Sequence, residues 1–143
     1  MHGAVYYCTS NRNHYPFSMK QIIQTPDAPA AIGPYAQAVV CNGMVYCSGQ
    51  IPLDPQTMQF VSDEVGEQTM QVMKNLRAVL NAAGTDFPNV VKCSIFLSSM
   101  DDFASVNEVY GTFFPENPPA RETVAVRTLP KNAKVEISCI AFV

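Results

Sequence analysis

The dipeptide Asn42-Gly43, set between two strand-like runs, constrains this chain more than any other feature. Residues 36–41 (Ala-Gln-Ala-Val-Val-Cys) and 44–48 (Met-Val-Tyr-Cys-Ser) have the β-branched and aromatic content of strands. Asn-Gly is the pair that best supports a type I′ turn, whose twist matches that of the strands it joins. A β-hairpin is therefore expected, running into Gly49-Gln50-Ile51-Pro52, where glycine and proline should end the ladder and leave backbone groups open. A hairpin is not stable alone, so the rest of the chain has to cover it.

The covering elements are legible in the periodicity. From Val65, apolar or small residues fall at Thr69, Val72, Met73, Leu76, Val79, Leu80 and Ala83, after Asp63-Glu64 and before Gly84 as a C-cap, which predicts an amphipathic helix. Residues 90–97 predict a strand with Val91, Cys93, Ile95 and Leu97 on one face. Ser99-Met100-Asp101-Asp102 resembles a capping box for a second helix, whose stripe runs Phe103, Val106, Tyr110, Phe113 and Phe114 until Pro115 stops it. Two further strands flank a turn at Leu129-Pro130-Lys131-Asn132. The first has Val124 and Val126 opposite Arg121, Thr123, Ala125 and Arg127; the second has Val135, Ile137, Cys139 and Ala141 opposite Glu136, Ser138, Ile140 and Phe142.

Hairpin, helix, strand, helix, strand, strand predicts an α+β domain: a two-layer mixed sheet with both helices on one face. Several strands are apolar or small on both sides, as Ala36, Ala38 and Val40 are against Val39 and Cys41. The face away from the helices is then expected to be covered by another subunit. Residues 1–18 lack periodicity, and Met19-Lys20-Gln21-Ile22-Ile23 looks like a natural start. The first eighteen residues are read as an extension outside the fold, whether an upstream-start artefact, an expression remnant or a weak targeting leader, and residues 19–143 as one domain.

Composition narrows the chemistry. At 48% hydrophobic and 15% charged the chain is an ordinary globular one, and no run approaches the roughly eighteen apolar residues of a membrane span. A cytoplasmic location is expected, or an organellar one if residues 1–18 act as a leader. The five cysteines, Cys8, Cys41, Cys47, Cys93 and Cys139, include no C-x-x-C pair and read as reduced, largely buried thiols. His2 and His14 are the only histidines, so the region after Met19 cannot build a Ser-His-Asp or Cys-His nucleophile or a usual zinc site; no metal and no cofactor is expected. No nucleotide-cradling glycine motif is present. Net charge is −3, and removing Arg12, the one charge before Met19, takes it from −3 to −4, which disfavours nucleic acid as a partner.

Three polar positions remain open on pattern alone. Arg121 and Glu136, taken as lying on neighbouring strands, are either a surface ion pair or parts of a site. Asn107 falls at i+4 from Phe103 and i−3 from Tyr110, so it is expected to face inward with the aromatics, either bonding a loop or strand end or serving a site.

Four segments in order, APAAIGPYAQAV (28–39), SGQIPLDP (48–55), VNEVYGTFF (106–114) and PPAR…VAVRTLPKNAKVEI (118–137), resemble the YjgF/RidA family of reactive-intermediate deaminases over essentially all of residues 19–143. The resemblance implies a chorismate-mutase-like homotrimer with clefts between subunits. It also implies hydrolysis of 2-enamine and 2-imino acids to 2-oxo acids and ammonia, the activity of a 2-iminobutanoate/2-iminopropanoate deaminase, with no cofactor. By position it makes Arg121 the binder of the substrate carboxylate and Glu136 the residue that positions or activates water, with Tyr35, Ser48, Gly49, Gln50 and Asn107 lining the pocket. Glu122 departs from the small or apolar residue usual after the arginine; alternation should turn it away from Arg121, whereas a bulge there would let it occupy the guanidinium. Thr123 stands where some members have a cysteine, so no mechanism can use a thiol there. An endoribonuclease or translation inhibitor, and a non-catalytic ligand-binding or chaperone-like trimer, are the alternatives.

Overall fold

The computed structural model describes residues 20–143, and the expected extension over residues 1–18 lies outside the described residues. Asn42 and Gly43 both adopt left-handed backbone (φ 51° and 75°), as a type I′ turn requires, and join β2 (Ala38–Cys41) to β3 (Met44–Gln50). Around this hairpin a six-stranded sheet forms in the order β1-β2-β3-β6-β4-β5, with β1 at Gln21–Ile23, β4 at Val90–Leu97, β5 at Ala120–Ala125 and β6 at Val135–Phe142. Only β4 and β5 run parallel. The helices α1 (Val65–Ala82) and α2 (Phe103–Gly111) complete the mixed α+β domain expected from the pattern.

The differences from expectation have local causes. β1 was not anticipated, because three residues are too few for alternation to register. Strand β3 does not end at Ser48: it continues to Gln50 through a bulge, since three steps from Cys47 to Gln50 match two from Cys139 to Ile137. A second bulge corrects the face assigned to Val91. The partners step from Val90↔Ala141 to Lys92↔Ile140, so Val90 turns inward at 6% exposure while Val91 is left out at 43%. Helix α2 is shorter than its stripe suggested. Ser99 Oγ accepts from the Asp101 N–H at 3.1 Å, but it caps a single 3₁₀ turn, Met100–Asp102, that precedes the helix. Phe113 and Phe114 lie past the helix end and still pack edge-on to Phe87, each at 5.2 Å.

The core forms where Val72, Met73, Leu76, Val79 and Leu80 of α1 meet Val45, Ile95, Ile137 and the cysteine row of the sheet. Cys47, Cys139 and Cys93 are successive cross-strand partners on β3, β6 and β4, all buried and all free thiols, as the sequence led one to expect. Burial pushes the Cys93 thiol up to about 11, which keeps it protonated and unreactive. Two buried polar residues of α1 act outside the core. Asn75 Nδ2 donates to the carbonyls of Ile51 (3.2 Å) and Leu53 (2.9 Å), and Gln68 Oε1 accepts from the Lys134 N–H at 3.0 Å. Each fixes a loop flanking the site, because leaving such a group unsatisfied costs about 1–3 kcal/mol.

Opposite the helices, the sheet carries Ile22, Val39, Tyr46, Ile140, Phe142, Phe96 and Val124, which cross-strand partnering places on one face. Ile22, Tyr46, Val124 and Phe142 are each more than 40% exposed. Among the described residues no helix is long and apolar enough to cross a membrane.

Candidate active site

The bulge in β3 creates the first half of the site. Ser48 is tied down there: its hydroxyl donates to the Ala36 carbonyl at 2.6 Å, and its N–H donates to the Gln37 carbonyl at 3.0 Å. Gly49 then passes directly beneath Glu136 of β6. A methyl group built on Gly49 would overlap Glu136 Oε1 and lie 2.8 Å from Cδ and 3.0 Å from Cγ, so any larger residue there would force this carboxylate to move. Glu136 is half-buried, and desolvation alone pushes its carboxyl above the ordinary glutamate range.

Around it lies a cavity of about 540 Å³ lined by Tyr35, Ser48, Gly49, Gln50 and Glu136, five of the seven residues singled out from the sequence. The other walls come from Pro29, Ala30 and Ile32, from Ile51 and Leu53, and from Pro130 and Lys131. Gln37 holds the first wall in place. It is buried at 2% exposure, accepts from the Thr25 N–H at 2.7 Å, and donates to the carbonyls of Thr25 (3.1 Å), Ala28 (3.3 Å) and Pro29 (2.8 Å). Lys131 and Asn132 sit at φ 56° and 60°, a region non-glycine residues seldom adopt, and this turn brings Lys131 to the cavity. Gln37 and Lys131 were overlooked as site residues; a lone polar residue within an apolar run, and a lysine in the L-P-K motif, were the available signals.

Arg121 and Asn107 belong to a different place. They line a cavity of about 390 Å³ with Tyr110, Gly111, Phe114, Pro118 and Pro119. Arg121 is the partner of Cys93 across β4 and β5, so it shares the helix-bearing face with the cysteine row, at the edge of the sheet. Glu136, partner of Phe96, is on the other face. The surface ion pair considered from the pattern is thus ruled out: β5 and β6 are not neighbours, because β4 lies between them. Asn107 is also corrected. It is exposed rather than inward-facing, and its Oδ1 accepts from Arg121 Nη1 at 2.7 Å. The Arg121 guanidinium carbon stands 5.0 Å from the centre of the Tyr110 ring and 5.8 Å from that of Phe103.

Glu122 turns away from Arg121, as alternation predicted. Lys92 and Ser94 engage its carboxylate on the helix-free face, and the Lys92 contact followed by the Ser94 hydroxyl holds its pKa below the ordinary range. Thr123 has a buried hydroxyl without a hydrogen-bond partner among the described residues. No group of three or more His, Cys, Asp or Glu side chains among the described residues could hold a metal ion.

The two-layer α+β domain thus presents a half-buried carboxylate in one open cleft and an arginine at the sheet edge in another. Comparison with known proteins identifies the family. Residues 25–143 match the family model described as Endoribonuclease L-PSP, and the chain belongs to this family, the YjgF/RidA family. It is 54% identical over 124 residues to Protein DfrA of Myxococcus xanthus, covering 85% of this chain and 95% of that protein. To the human 2-iminobutanoate/2-iminopropanoate deaminase it is 46% identical over 124 residues, covering 87% and 90%. The crystal structure of RidA from an Antarctic Psychrobacter superimposes with a TM-score of 0.83 at 43% identity, over 86% of this chain and 99% of that one.

Proposed function

We propose that this protein hydrolyses 2-imino acids and their enamine tautomers to 2-oxo acids and ammonia, in clefts that form between subunits of a homotrimer. The observation that carries the chemistry is Glu136: a half-buried carboxylate with a raised pKa, above a glycine that leaves it room, in a cavity of about 540 Å³. Such a group can take a proton from water as the oxygen attacks the imine carbon and return it to nitrogen, giving a carbinolamine; carrying the hydroxyl proton to the amine as the C=O bond forms then breaks the C–N bond and releases ammonia. General base action of this kind contributes about 10²–10⁴-fold. Arg121 supplies the complementary function, a planar fork that binds the substrate carboxylate. Tyr35, Ser48, Gly49 and Gln50 shape the cleft around the reacting carbon. The human relative named as a 2-iminobutanoate/2-iminopropanoate deaminase supports this substrate class.

Assembly follows from where the two groups stand. Arg121 and Glu136 are on opposite faces of one sheet with a strand between them, so a single chain does not present both to one small substrate. A second copy has to bring its Arg121 edge to the Glu136 cleft. In the proposed homotrimer the contact is heterologous and closes into a ring, each subunit giving its Arg121 edge to one neighbour and its Glu136 cleft to the other. The exposed Ile22, Tyr46, Val124 and Phe142 on the helix-free face supply apolar area for that contact.

Two experiments test the reading. A pyridoxal-phosphate-dependent serine or threonine dehydratase, run with and without the protein, should release 2-oxo acid and ammonia faster in its presence; no acceleration overturns the activity, and cleavage of RNA in its place would favour a ribonuclease. For the shared site, Arg121→Lys and Glu136→Gln subunits are unfolded, mixed in equal amounts and refolded. Random trimers should recover about a quarter of the parental activity, since one interface in four pairs an intact Arg121 with an intact Glu136. No recovery would place both residues in one chain's site.

A further inference from the structure

We infer that Asn107 is a positioning residue, which with the Phe103 and Tyr110 rings holds the Arg121 guanidinium in one orientation rather than touching substrate itself. Phe103, Asn107 and Tyr110 fall at i, i+4 and i+7 of α2 and so form one stripe of that helix, turned toward the edge of β5. The two rings lie 5.8 Å and 5.0 Å from the guanidinium carbon, within the roughly 6 Å over which an aromatic face attracts a cation. Asn107 takes a hydrogen of Nη1 at 2.7 Å. The edge formed by Nε and Nη2 does not share that contact, and a carboxylate needs such an edge for two parallel hydrogen bonds. An arginine at an exposed sheet edge would otherwise sample many rotamers, and ordering it at the moment of binding would weaken affinity.

The arrangement explains why α2 directs an amide at this place. Asn107 is exposed, so its amide has no burial penalty to relieve, and water could satisfy it equally well. Its contact with Arg121 gains by fixing the charge, not by filling the core. What the clamp does for substrate rests on the deaminase reading; that the clamp exists does not.

The test separates the two. Protein with ¹⁵N-labelled arginine is examined by NMR of the guanidinium groups without any ligand, the Arg121 signals being assigned by their loss in Arg121→Lys. Restricted rotation about Nε–Cζ should keep the two Arg121 Nη signals resolved in the parent, merge them in Asn107→Ala, and leave them apart in Asn107→Asp, which retains the acceptor. Affinity for 2-oxobutanoate, the stable product of 2-iminobutanoate hydrolysis, should fall about tenfold in Asn107→Ala, the scale of one hydrogen bond to a charged group. In the Arg121→Lys background the same change should alter affinity less than about twofold, because an ammonium has no planar orientation to lose. Merged signals in the parent, resolved signals in Asn107→Ala, or a tenfold loss that persists in the Arg121→Lys background would each overturn the positioning role. A parent with resolved signals that binds no 2-oxobutanoate would overturn the deaminase reading and leave the clamp standing.

Discussion

Substituting Gly49 by alanine tests the geometry of the cleft without altering any reacting group. Gly49 does not have a left-handed φ, so alanine meets no backbone strain there, and the effect is purely a collision with Glu136. The new methyl would lie 2.8 Å from Cδ and 3.0 Å from Cγ of Glu136, against about 3.5–4.0 Å for relaxed carbon contacts. The carboxyl group therefore has to retreat by roughly 0.5–1 Å, and further at the overlapped oxygen. Overpacking of this sort costs about 1–3 kcal/mol in a closed core. Here the half-buried side chain can swing toward the open cavity, which places the loss near 1 kcal/mol and the shift in Tm at a few degrees. Catalysis has no such escape, since a misplacement of about 1 Å at a reacting group costs on the order of 10²-fold. Gly49→Ala should thus lower kcat about a hundredfold in a protein that still melts within several degrees of the parent. In the Glu136→Gln background the same substitution should cost less than about threefold, because the carboxylate it displaces is already gone. Parental kcat in Gly49→Ala, or an undiminished loss beside Glu136→Gln, would refute the placement of Glu136 at the reacting centre.

Three other outcomes are expected. Arg121→Lys keeps the charge but loses the fork, so it should lower kcat/KM by at least about tenfold with the thermal transition unchanged, read from steady-state kinetics and calorimetry. Glu136 has a folded-state pKa raised by burial, so its ionised form is disfavoured by folding. Glu136→Gln should therefore raise Tm at neutral pH and lose that advantage as pH falls through the raised pKa toward the unfolded value, while the parent's kcat should fall over the same acid limb. Glu122→Gln breaks an exposed pair with Lys92 on the face away from Arg121; the thermal transition and KM should both stay at the parental values.

Where a side chain's surroundings are set within one element, the sequence was a good guide. Asn42-Gly43 determines its turn because no other residue pair takes two left-handed conformations so readily, and the α1 stripe determines its face because eighteen residues repeat the same period. Extra residues defeat such reasoning. The bulges at Val91 and at Ser48-Gly49 each reverse the alternation beyond them, and only the partner strand shows where that happens. The second of these bulges also carries Gly49 under Glu136, so the feature that shapes the cleft was the one that counting along a single strand could not find. Asn107 was misplaced for a related reason: helical spacing puts it among aromatics, but those rings serve both the core and Arg121, and the amide follows the arginine.

Strand β5 poses the deeper difficulty, because its polarity is inverted for a lone subunit. Val124 faces away from the helices at 45% exposure, while Arg121 shares the face of the buried cysteines. Alternation read on its own turns valines inward and arginines outward, which would give β5 the opposite orientation. The inversion makes physical sense when the helix-free face is itself an interior. Val124 then loses its remaining exposure against a neighbouring subunit; at 45% exposure its side chain gains roughly half of the 1.5–3 kcal/mol that complete burial provides. Arg121, held at the margin of that contact by α2, stands where a neighbour's cleft can receive it. On the proposed assembly one strand's pattern reflects two chains, and Val124→Asp puts that to the test: a charge on this face should leave the protein monomeric and abolish activity together, although Val124 touches neither half of the site. A variant that stays assembled and active would show that the exposed valine faces solvent in the working protein.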